Sequence, residues 1–248
     1  MKVLAHRGFS GAFPQNTMLA FREAEKTGCS GIELDVQMTK DGQLVIIHDE
    51  FIDDVTDGKG LVRDYTYEEL SKFNAAAKWN GAFGFQKIPT FEEYCAWVKN
   101  TNLVTNVELK NSIYYYMGLE EKVVETIHRF GLEERIFISS FNHMSLLKVR
   151  QLDSTLQLGA LVENGGIGNP GYYCKTFGID CYHPGIEGLT REAVENCKKY
   201  GIKVNVWTVN QMNDLKNITC WGCDGIITNY PDVCSCWVNY GSDGNEMD

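Results

Sequence analysis

The sequence lacks any long apolar run. No apolar stretch of about 18 residues occurs, and a helix shorter than that does not cross a bilayer. Neither a transmembrane helix nor stable membrane insertion is therefore expected. Met1–Ala5 leads directly into His6-Arg7-Gly8, which leaves no room for the apolar region of a secretory signal. A cytoplasmic protein is predicted.

Positive charge is scarce. The 248 residues include 23 Lys and Arg against 33 Asp and Glu, for a formal net charge of -10. A surface this negative repels nucleic acid and anionic membranes, so neither is a predicted partner. If the substrate is itself an anion, a metal ion or a basic cluster must reverse the field inside the site.

An even set of cysteines is also missing. The nine cysteines form an odd number, which is typical of free thiols in a reducing compartment. Cys220 and Cys223 in C-x-x-C spacing, followed by Cys234 and Cys236 in C-x-C spacing, leave a zinc site open as an alternative. It is the less favoured one, because structural zinc sites usually combine a C-x-x-C pair with a second such pair or with histidines.

Short β-branched runs alternate with helix-length stretches along the chain. Strands are predicted over 2–5, 31–39, 103–110, 135–139, 156–162, 179–182, 203–209 and 225–228, with a further extended run over 44–48. Helices are predicted over 16–27, 91–100, 119–130, 143–152, 172–177, 191–200, 211–220 and 232–240. This alternation indicates an α/β protein with a parallel sheet. Its length and number of units favour a single (β/α)₈ TIM barrel over an open doubly wound sheet.

Residues 50–88 interrupt the alternation. They contain the turn sequence Asp-Gly-Lys-Gly, the aromatic residues Trp79, Phe83 and Phe85, and no clean strand. We interpret them as a small insertion after the second strand, packed over one end of a single domain that spans residues 1–248. Long structured insertions in compact domains are often functional.

Polar residues cluster at the ends of the first predicted strands. They are His6, Arg7, Glu33, Asp35, His48, Glu108 and Lys110. Barrel enzymes carry their active sites where the strands end. Residues i and i+2 of a strand point to the same side of the sheet. Glu33 and Asp35 therefore share a face of their strand, and by the same rule Glu108 and Lys110 share a face of theirs.

Three carboxylates in a barrel mouth cannot all stay ionised without a partner, because burying unpaired charge is too costly. A divalent cation would resolve this, and carboxylate oxygens favour Mg²⁺ or Ca²⁺ over zinc. Glu33, Asp35 and Glu108 are therefore the predicted metal ligands. The alternative is that the pair on the second strand lies on a wet edge or is paired with basic residues.

Attack on phosphorus is the chemistry that this residue set suits. Arg7 can bind a phosphate oxygen bidentately, and Lys110 can add a point charge. Either His6 or His48 would take a proton from the nucleophile, while the other gives one to the leaving alkoxide. The alternatives are structural histidines, a surface arginine, and a lysine that only pairs with Glu108.

Other residues leave two interpretations open. Trp207 is either the floor of a substrate pocket or part of the core, and Tyr114-Tyr115-Tyr116 is either a pocket wall or ordinary loop packing. His183 either reaches the barrel mouth or has a structural role. His128 and His143 lie on predicted helices and are expected at the surface.

The motifs taken together resemble the glycerophosphodiester phosphodiesterase family over nearly the whole chain. They are His6-Arg7-Gly8, Pro14-Gln15-Asn16-Thr17, Glu33-Leu34-Asp35-Val36, His48-Asp49, Glu108-Leu109-Lys110, Ser139-Ser140-Phe141, Trp207-Thr208-Val209-Asn210 and Asp224-Gly225-Ile226-Ile227-Thr228-Asn229-Tyr230-Pro231. The resemblance implies a (β/α)₈ barrel that hydrolyses glycerophosphodiesters to glycerol 3-phosphate and an alcohol.

The resemblance also implies roles for single residues. The metal ligands would be Glu33, Asp35 and Glu108, the general acid and base His6 and His48, and the phosphate-binding cations Arg7 and Lys110. The substrate's own glycerol hydroxyl would attack phosphorus and form a cyclic phosphate that water then opens. An intramolecular nucleophile gains much of its rate from proximity.

Two positions depart from the family pattern. Gln15 stands where the family usually has Glu, and Asp54 stands where a basic residue is common. None of the predicted catalytic, metal-binding or phosphate-binding residues is altered, so activity is expected.

Other functions stay open. The same barrel could act on lysophospholipids or phosphoinositols, or it could be a non-catalytic phosphate-binding relative. A broad apolar groove at Trp79, Phe83 and Phe85 would favour a lipid, whereas a narrow polar pocket would favour deacylated headgroups. The sequence leaves the oligomeric state open.

Overall fold

A computed structural model describes residues 1–163 and 166–240. Its strands are Lys2–His6 (β1), Gly31–Met38 (β2), Leu44–Ile46 (β3), Val104–Leu109 (β4), Ile136–Ser140 (β5), Gln157–Val162 (β6), Cys181–Pro184 (β7), Lys203–Val206 (β8) and Gly225–Thr228 (β9). Its α-helices are Met18–Lys26 (α1), Tyr67–Leu70 (α2), Phe91–Val98 (α3), Leu119–Phe130 (α4), His143–Leu152 (α5), Pro170–Phe177 (α6), Arg191–Lys199 (α7), Met212–Trp221 (α8) and Pro231–Tyr240 (α9).

Eight parallel strands close into a ring in the order β1-β2-β4-β5-β6-β7-β8-β9. The ring closes because β1 pairs with β9 on one side and with β2 on the other. Strand β3 lies outside the ring and runs antiparallel to the end of β2. The predicted (β/α)₈ barrel is therefore confirmed, and the extended run over 44–48 is an added strand.

Local capping explains where the first helices begin. The predicted helix over 16–27 begins only at Met18, because Thr17 is its extended N-cap and accepts a hydrogen bond from the Ala20 amide. Asn16 is left-handed, with a φ of 55°. Helix α3 begins behind Thr90, which forms a capping box with Glu93.

The main core lies between the strands and the surrounding helices. Fully buried Phe21 and Phe91 from the helix layer belong to the same cluster as Ile32, Leu34 and Val36 of β2. These β2 residues alternate with polar side chains, because successive residues of a strand face opposite sides of the sheet. The same alternation that builds the core therefore directs the polar residues of β2 into the barrel.

The segment over residues 50–88 has a small core of its own. Val45 and Ile47 from the β3 region join Ile52, Val62, Leu70 and Ile88 there. Helix α2 and three short 3₁₀ turns are the only helical elements of this segment, and it adds no strand to the barrel.

The same segment contacts loops at the barrel mouth. Arg63 lies over the ring of Tyr114, 4.4 Å from its centroid, beyond β4. Phe83 lies 5.4 Å from Phe13, between ring centroids, beyond β1. The single domain over residues 1–248 stays a prediction, since its last eight residues lie outside the described part.

His183 lies inside the barrel rather than at its mouth. Its side chain is fully buried, its Nε2 accepts a hydrogen bond of 2.9 Å from Asn205 Nδ2, and its ring packs edge-on against Phe137. Gly159 makes room for the ring, because a Cβ atom at that position would lie 2.6 Å from His183 Nε2. Burial lowers the pKa of His183 to about 3, so it is a neutral structural residue.

None of the described helices is long and apolar enough to span a bilayer.

The His183→Gln variant should make folding less sensitive to mild acid. The unfolded chain protonates this imidazole below a pH of about 6.5, whereas the folded protein holds it neutral until about pH 3, so stability is lost as the pH falls through this window. Between about pH 7 and about pH 5 the variant should lose roughly 2 kcal/mol less of its unfolding free energy than the native protein.

Urea unfolding at several pH values measures this difference. The exposed His128 provides the control, because replacing it with Gln leaves the buried imidazole in place. Equal pH slopes for the His183→Gln variant and the native protein would contradict the prediction.

Candidate active site

Three acidic side chains meet at the carboxyl ends of β2 and β4. Asp35 is the register partner of Glu108 across these strands, and Glu33 precedes Asp35 by two residues on the same inward face. One carboxylate oxygen from each of the three lies within 4.8 Å of the others, and all three residues are buried. The sequence prediction that they converge is met, and the group has the geometry to hold one metal ion.

The electrostatics of this triad show crowded negative charge. Burial, followed by the charges of the neighbouring carboxylates, raises the pKa of Glu33 well above its ordinary value. The pKa of Glu108 is raised for the same two reasons. Burial also opposes ionisation of Asp35, but the positive charges of Arg7, His48 and Lys110 lower its pKa to about 2. One carboxylate that ionises readily beside two that resist ionisation is the pattern expected where acidic side chains are gathered to share a cation.

The oxygen atoms of Asp35 support a cation at this place. Oδ2 accepts a hydrogen bond of 2.8 Å from Asn16 Nδ2. Oδ1 is buried and has no hydrogen-bond partner among the described residues. A buried carboxylate oxygen without a partner is costly unless a ligand meets it, and the donor set of three carboxylates suits a hard divalent ion.

The carboxyl end of β1 places His6 beside the triad. His6 Nδ1 donates a hydrogen bond of 2.6 Å to Asn229 Oδ1 beyond β9, which leaves Nε2 4.0 Å from Glu33 Oε2. Burial, and then the nearby charge of Arg7, lower the pKa of His6 to about 3. The imidazole is therefore neutral, with its free nitrogen directed toward the acidic group.

Arg7 and Gly8 follow in strained backbone. Arg7 has a φ of 55° and Gly8 one of 80°, and a Cβ atom on Gly8 would lie 2.7 Å from the Ala20 carbonyl carbon. Glycine is therefore required at this turn. The turn directs the Arg7 amide to Glu33 Oε2, at 3.0 Å.

The Arg7 guanidinium is held from two sides. Its Nη1 donates to Gln15 Oε1 at 2.9 Å, and its Nε lies 3.4 Å from Asp35 Oδ2. Gln15, which departs from the family pattern, thus supplies a neutral acceptor for this arginine. Asp54, the second departure, is exposed, and nothing in the structure explains it.

His48 is positioned by a residue that sequence reasoning missed. The Gln37 amide nitrogen lies 2.9 to 3.1 Å from three successive carbonyl oxygens, those of Ile47, His48 and Asp49, which share its two hydrogens. Tyr116 Oη donates in turn to Gln37 Oε1, at 2.9 Å. Gln37 continues the inward alternation of Glu33 and Asp35 along β2, and that spacing is the signal that could have identified it.

The imidazole of His48 has an acidic partner. Its Nδ1 donates to Asp49 Oδ1 at 2.7 Å. The pKa of Asp49 is lowered, first by this hydrogen bond, against the opposing effect of burial. Asp49 is thus an ionised carboxylate that orients the ring.

Lys110 is both an ion-pair partner and a pocket residue. Its Nζ lies 3.1 Å from Glu108 Oε1. Burial opposes its charge, but the charges of Glu108 and Asp35 raise its pKa overall. The alternatives from sequence are not exclusive, because this ammonium group also lines the cavity.

A cavity of about 610 Å³ opens at the carboxyl end of the barrel. Its lining residues are His6, Arg7, Glu33, His48, Glu50, Glu108, Lys110, Ser112, Ile113, Ser139, Phe141, Leu161, Glu163, Trp207, Thr208 and Ile227. The predicted site residues are all brought together here except Asp35, which lies just beneath as a triad member. Trp207 is a pocket residue whose Nε1 donates to the His183 carbonyl oxygen at 2.8 Å.

The remaining candidates lie elsewhere. Tyr116 is buried, Tyr114 lies under Arg63, and neither lines the cavity. His143 is half-buried on α5 and hydrogen-bonded to Tyr173 Oη through its Nδ1. The surface position predicted for it is therefore wrong, because α6 covers it.

The cysteine cluster does not gather into a metal site. Cys223 and Cys234 are buried, whereas Cys220 and Cys236 are exposed, and all are free thiols. Over residues 1–163 and 166–240, the carboxylate triad is the one set of three or more acidic, histidine or cysteine ligands close enough to share an ion.

Fold and cavity together define a (β/α)₈-barrel enzyme whose acidic site can hold a metal ion between two histidines. Comparison with known proteins agrees. Residues 6–233 match the model of the glycerophosphoryl diester phosphodiesterase family. A glycerophosphodiester phosphodiesterase of Caldanaerobacter subterraneus is 41% identical over 231 residues, covering 93% of this chain and 95% of the relative.

Two further relatives support the assignment. One from Bacillus altitudinis with the same description is 44% identical over 234 residues, covering 93% of this chain and 95% of its own. A solved phosphodiesterase structure from Oleispira antarctica is 26% identical and superimposes with a TM-score of 0.85, over 96% of this chain and 97% of that one. The chain therefore belongs to the glycerophosphoryl diester phosphodiesterase family. The family, the fold and the enzyme class predicted from the sequence are confirmed.

Replacing Gln37 with Met should destabilise the fold around His48. The substitution keeps the side-chain volume but leaves three carbonyl oxygens and Tyr116 Oη without their partner, and unsatisfied buried groups cost about 1–3 kcal/mol each. We expect the unfolding free energy to fall by at least this amount and amide exchange to accelerate at residues 47–49.

The control is Gln157→Met, at an exposed strand position on β6. Denaturant unfolding and hydrogen exchange would compare the two variants. Equal protection of residues 47–49 in both would show that Gln37 does not hold this loop.

Proposed function

We propose that the protein hydrolyses glycerophosphodiesters to glycerol 3-phosphate and an alcohol, with a divalent metal ion and two histidines. The observation that carries this proposal is the convergence of three buried carboxylates within 4.8 Å beside His6 and His48 in one cavity. The roles of the single residues follow from their partners and charges.

Glu33, Asp35 and Glu108 would hold the cation, with Mg²⁺ and Ca²⁺ as the two ions that an all-oxygen ligand set favours. Bound there, such an ion supplies Lewis acidity to a phosphoryl oxygen and offsets its negative charge. Arg7 and Lys110 border the same cavity and add positive charge for the phosphate. These groups reverse the field of a chain with a net charge of -10.

His6 is suited to act as the general base. Its Nδ1–H donates a hydrogen bond to Asn229 Oδ1. Because the imidazole is neutral, Nε2 is free to accept a proton. The glycerol hydroxyl next to the phosphorylated carbon would give its proton to Nε2 and form a bond to phosphorus.

His48 is suited to act as the general acid. The Asp49 carboxylate accepts from Nδ1 and orients the ring, so that Nε2 is the nitrogen that would donate the proton. As the bond between phosphorus and the leaving oxygen breaks, this proton neutralises the alkoxide. Water then opens the cyclic phosphate with the two histidines in exchanged roles.

The shape of the cavity favours deacylated headgroups over lipids. Trp79 and Phe83 stack on each other, with ring centroids 5.2 Å apart, and Phe83 contacts Phe13. None of them, nor Phe85, lines the cavity. The aromatic residues of the insertion therefore form no apolar groove along the path of the substrate.

Support for the product comes from a relative. The Oleispira antarctica structure holds the product sn-glycerol 3-phosphate, which is the product proposed for this chain. A non-catalytic role receives no support, because both histidines and the whole triad are intact. A cytoplasmic location, the absence of nucleic-acid partners and the oligomeric state stay untested by these observations.

Chelation should abolish turnover reversibly. Glycerol 3-phosphate release from a panel of glycerophosphodiesters should fall to background after exhaustive treatment with EDTA, because the triad loses its ion. Mg²⁺ or Ca²⁺ should then restore it, and the more effective ion identifies the preferred metal. Unchanged turnover after metal analysis confirms a metal-free protein would refute metal dependence.

The two histidines should respond differently to the leaving group. Both His6→Ala and His48→Ala should lose about 10²-fold to 10⁴-fold in turnover of alkyl glycerophosphodiesters. With a p-nitrophenyl leaving group, which departs without a proton, the His48→Ala variant should recover most of its turnover. The His6→Ala variant should not recover.

His128→Ala, at an exposed position, provides the control for both variants. Calorimetric titration with Mg²⁺ or Ca²⁺ should show that the histidine variants still bind metal. If the His6→Ala variant instead recovers turnover of the p-nitrophenyl substrate, the roles of the two histidines are reversed. If neither variant recovers turnover, His48 is not the general acid.

A further inference from the structure

The cavity has two chemically different halves. In the ring of strands, the triad lies on β2 and β4, while β6 and β8 lie on the other side. The triad half carries both cations of the cavity, and each is paired with a carboxylate, Arg7 with Asp35 and Lys110 with Glu108. Both cations of this half are therefore already engaged by carboxylates.

The far half is mainly apolar and carries a single carboxylate. Phe141 follows β5, Leu161 belongs to β6, Trp207 follows β8 and Ile227 belongs to β9, and all line the cavity. Glu163, directly after β6, lines it with them. Its side chain forms no hydrogen bond or ion pair within residues 1–163 and 166–240.

The two aromatic rings of this half are fixed in place. Phe141 and Trp207 meet edge to face, with centroids 5.6 Å apart and an interplanar angle of 88°. The indole N–H of Trp207 is consumed by the His183 carbonyl oxygen, so the ring presents no polar hydrogen to the cavity. Aromatic faces together with one carboxylate are the groups that recognise an ammonium ion.

We propose that Glu163, with Phe141 and Trp207, selects glycerophosphodiesters whose alcohol carries a positive charge, such as an ethanolamine or choline ester. This inference rests on the proposed function. The glycerol arm is a polyol and matches the triad half, where Glu50 and Ser112 also line the cavity. The alcohol arm then extends into the far half, where its ammonium group meets Glu163.

The competing assignment for Glu163 is a hydrogen bond to the glycerol hydroxyls, which every substrate shares. The two assignments differ in one measurable quantity. A hydroxyl contact changes the specificity constant of all substrates alike, whereas a charge contact changes only the ratio between charged and neutral ones. The two assignments can therefore be distinguished with a pair of substrates that have the same shape but differ in charge.

The test compares glycerophosphocholine with its uncharged isostere, the glycerophosphodiester of 3,3-dimethylbutan-1-ol. The native enzyme should show a higher kcat/KM for the choline ester, by about 3-fold to 10-fold, since Glu163 is exposed and its charge is screened. Glu163→Gln should reduce this ratio to about one, and Glu163→Asp should retain most of it. Added salt should lower the ratio in the native enzyme only.

Two control measurements complete the design. Glu50→Gln removes a carboxylate of the triad half that lies outside the triad, and it should leave the ratio between the two esters in place, whatever it does to overall turnover. Choline should inhibit the native enzyme more strongly than 3,3-dimethylbutan-1-ol.

Each outcome decides between the assignments. A native ratio near one, or a ratio that Glu163→Gln does not change, overturns the inference while hydrolysis of both esters leaves the proposed function standing. If the native enzyme with metal hydrolyses neither ester nor any other glycerophosphodiester, the proposed function itself fails.

Discussion

Repulsion among three buried carboxylates is the constraint on which the rest of the site depends. Glu33, Asp35 and Glu108 lie within 4.8 Å of one another in a place where water cannot screen them. Such a cluster cannot be retained for stability, because apolar residues of the same size would cost nothing to bury. The surrounding cations and amide donors, and the strained turn at Arg7 that directs its own amide to Glu33, are arranged to tolerate this charge.

The barrel makes that arrangement possible because the outward face of each strand packs in the core, whereas the inward face carries the site. Along β2 the outward residues belong to the helix-packed core, so the strand is anchored by burial independent of the polar residues between them. Glu33 and Asp35 therefore need not contribute to stability and are available to the site. The conformational cost of building the site falls on the backbone at Arg7 and Asn16, which both have a positive φ. Hydrogen bonds from these two residues to Glu33 and Asp35 hold them in place.

Much of the site could be predicted because its members are read from single strands. The two-residue spacing in Glu33-Leu34-Asp35 and in Glu108-Leu109-Lys110 fixes which side chains share a face, and parallel pairing brings their ends together. What the sequence does not carry is the partner of His6. His6 and Asn229 are 223 residues apart, and only closure of the ring between β1 and β9 brings them within hydrogen-bond distance.

The same reasoning explains why His183 was ambiguous and why Glu163 was overlooked. A residue at the end of a strand can direct its side chain either into the barrel interior or toward the barrel mouth. Its position in the sequence does not distinguish these two orientations. For His183 the deciding feature is the missing side chain at Gly159, which leaves room for the imidazole inside the barrel. For Glu163 it is the cavity shared with Phe141 and Trp207, which follow β5 and β8. The selectivity proposed for Glu163 thus depends on residues from three strands of the closed barrel, a combination that no single motif contains.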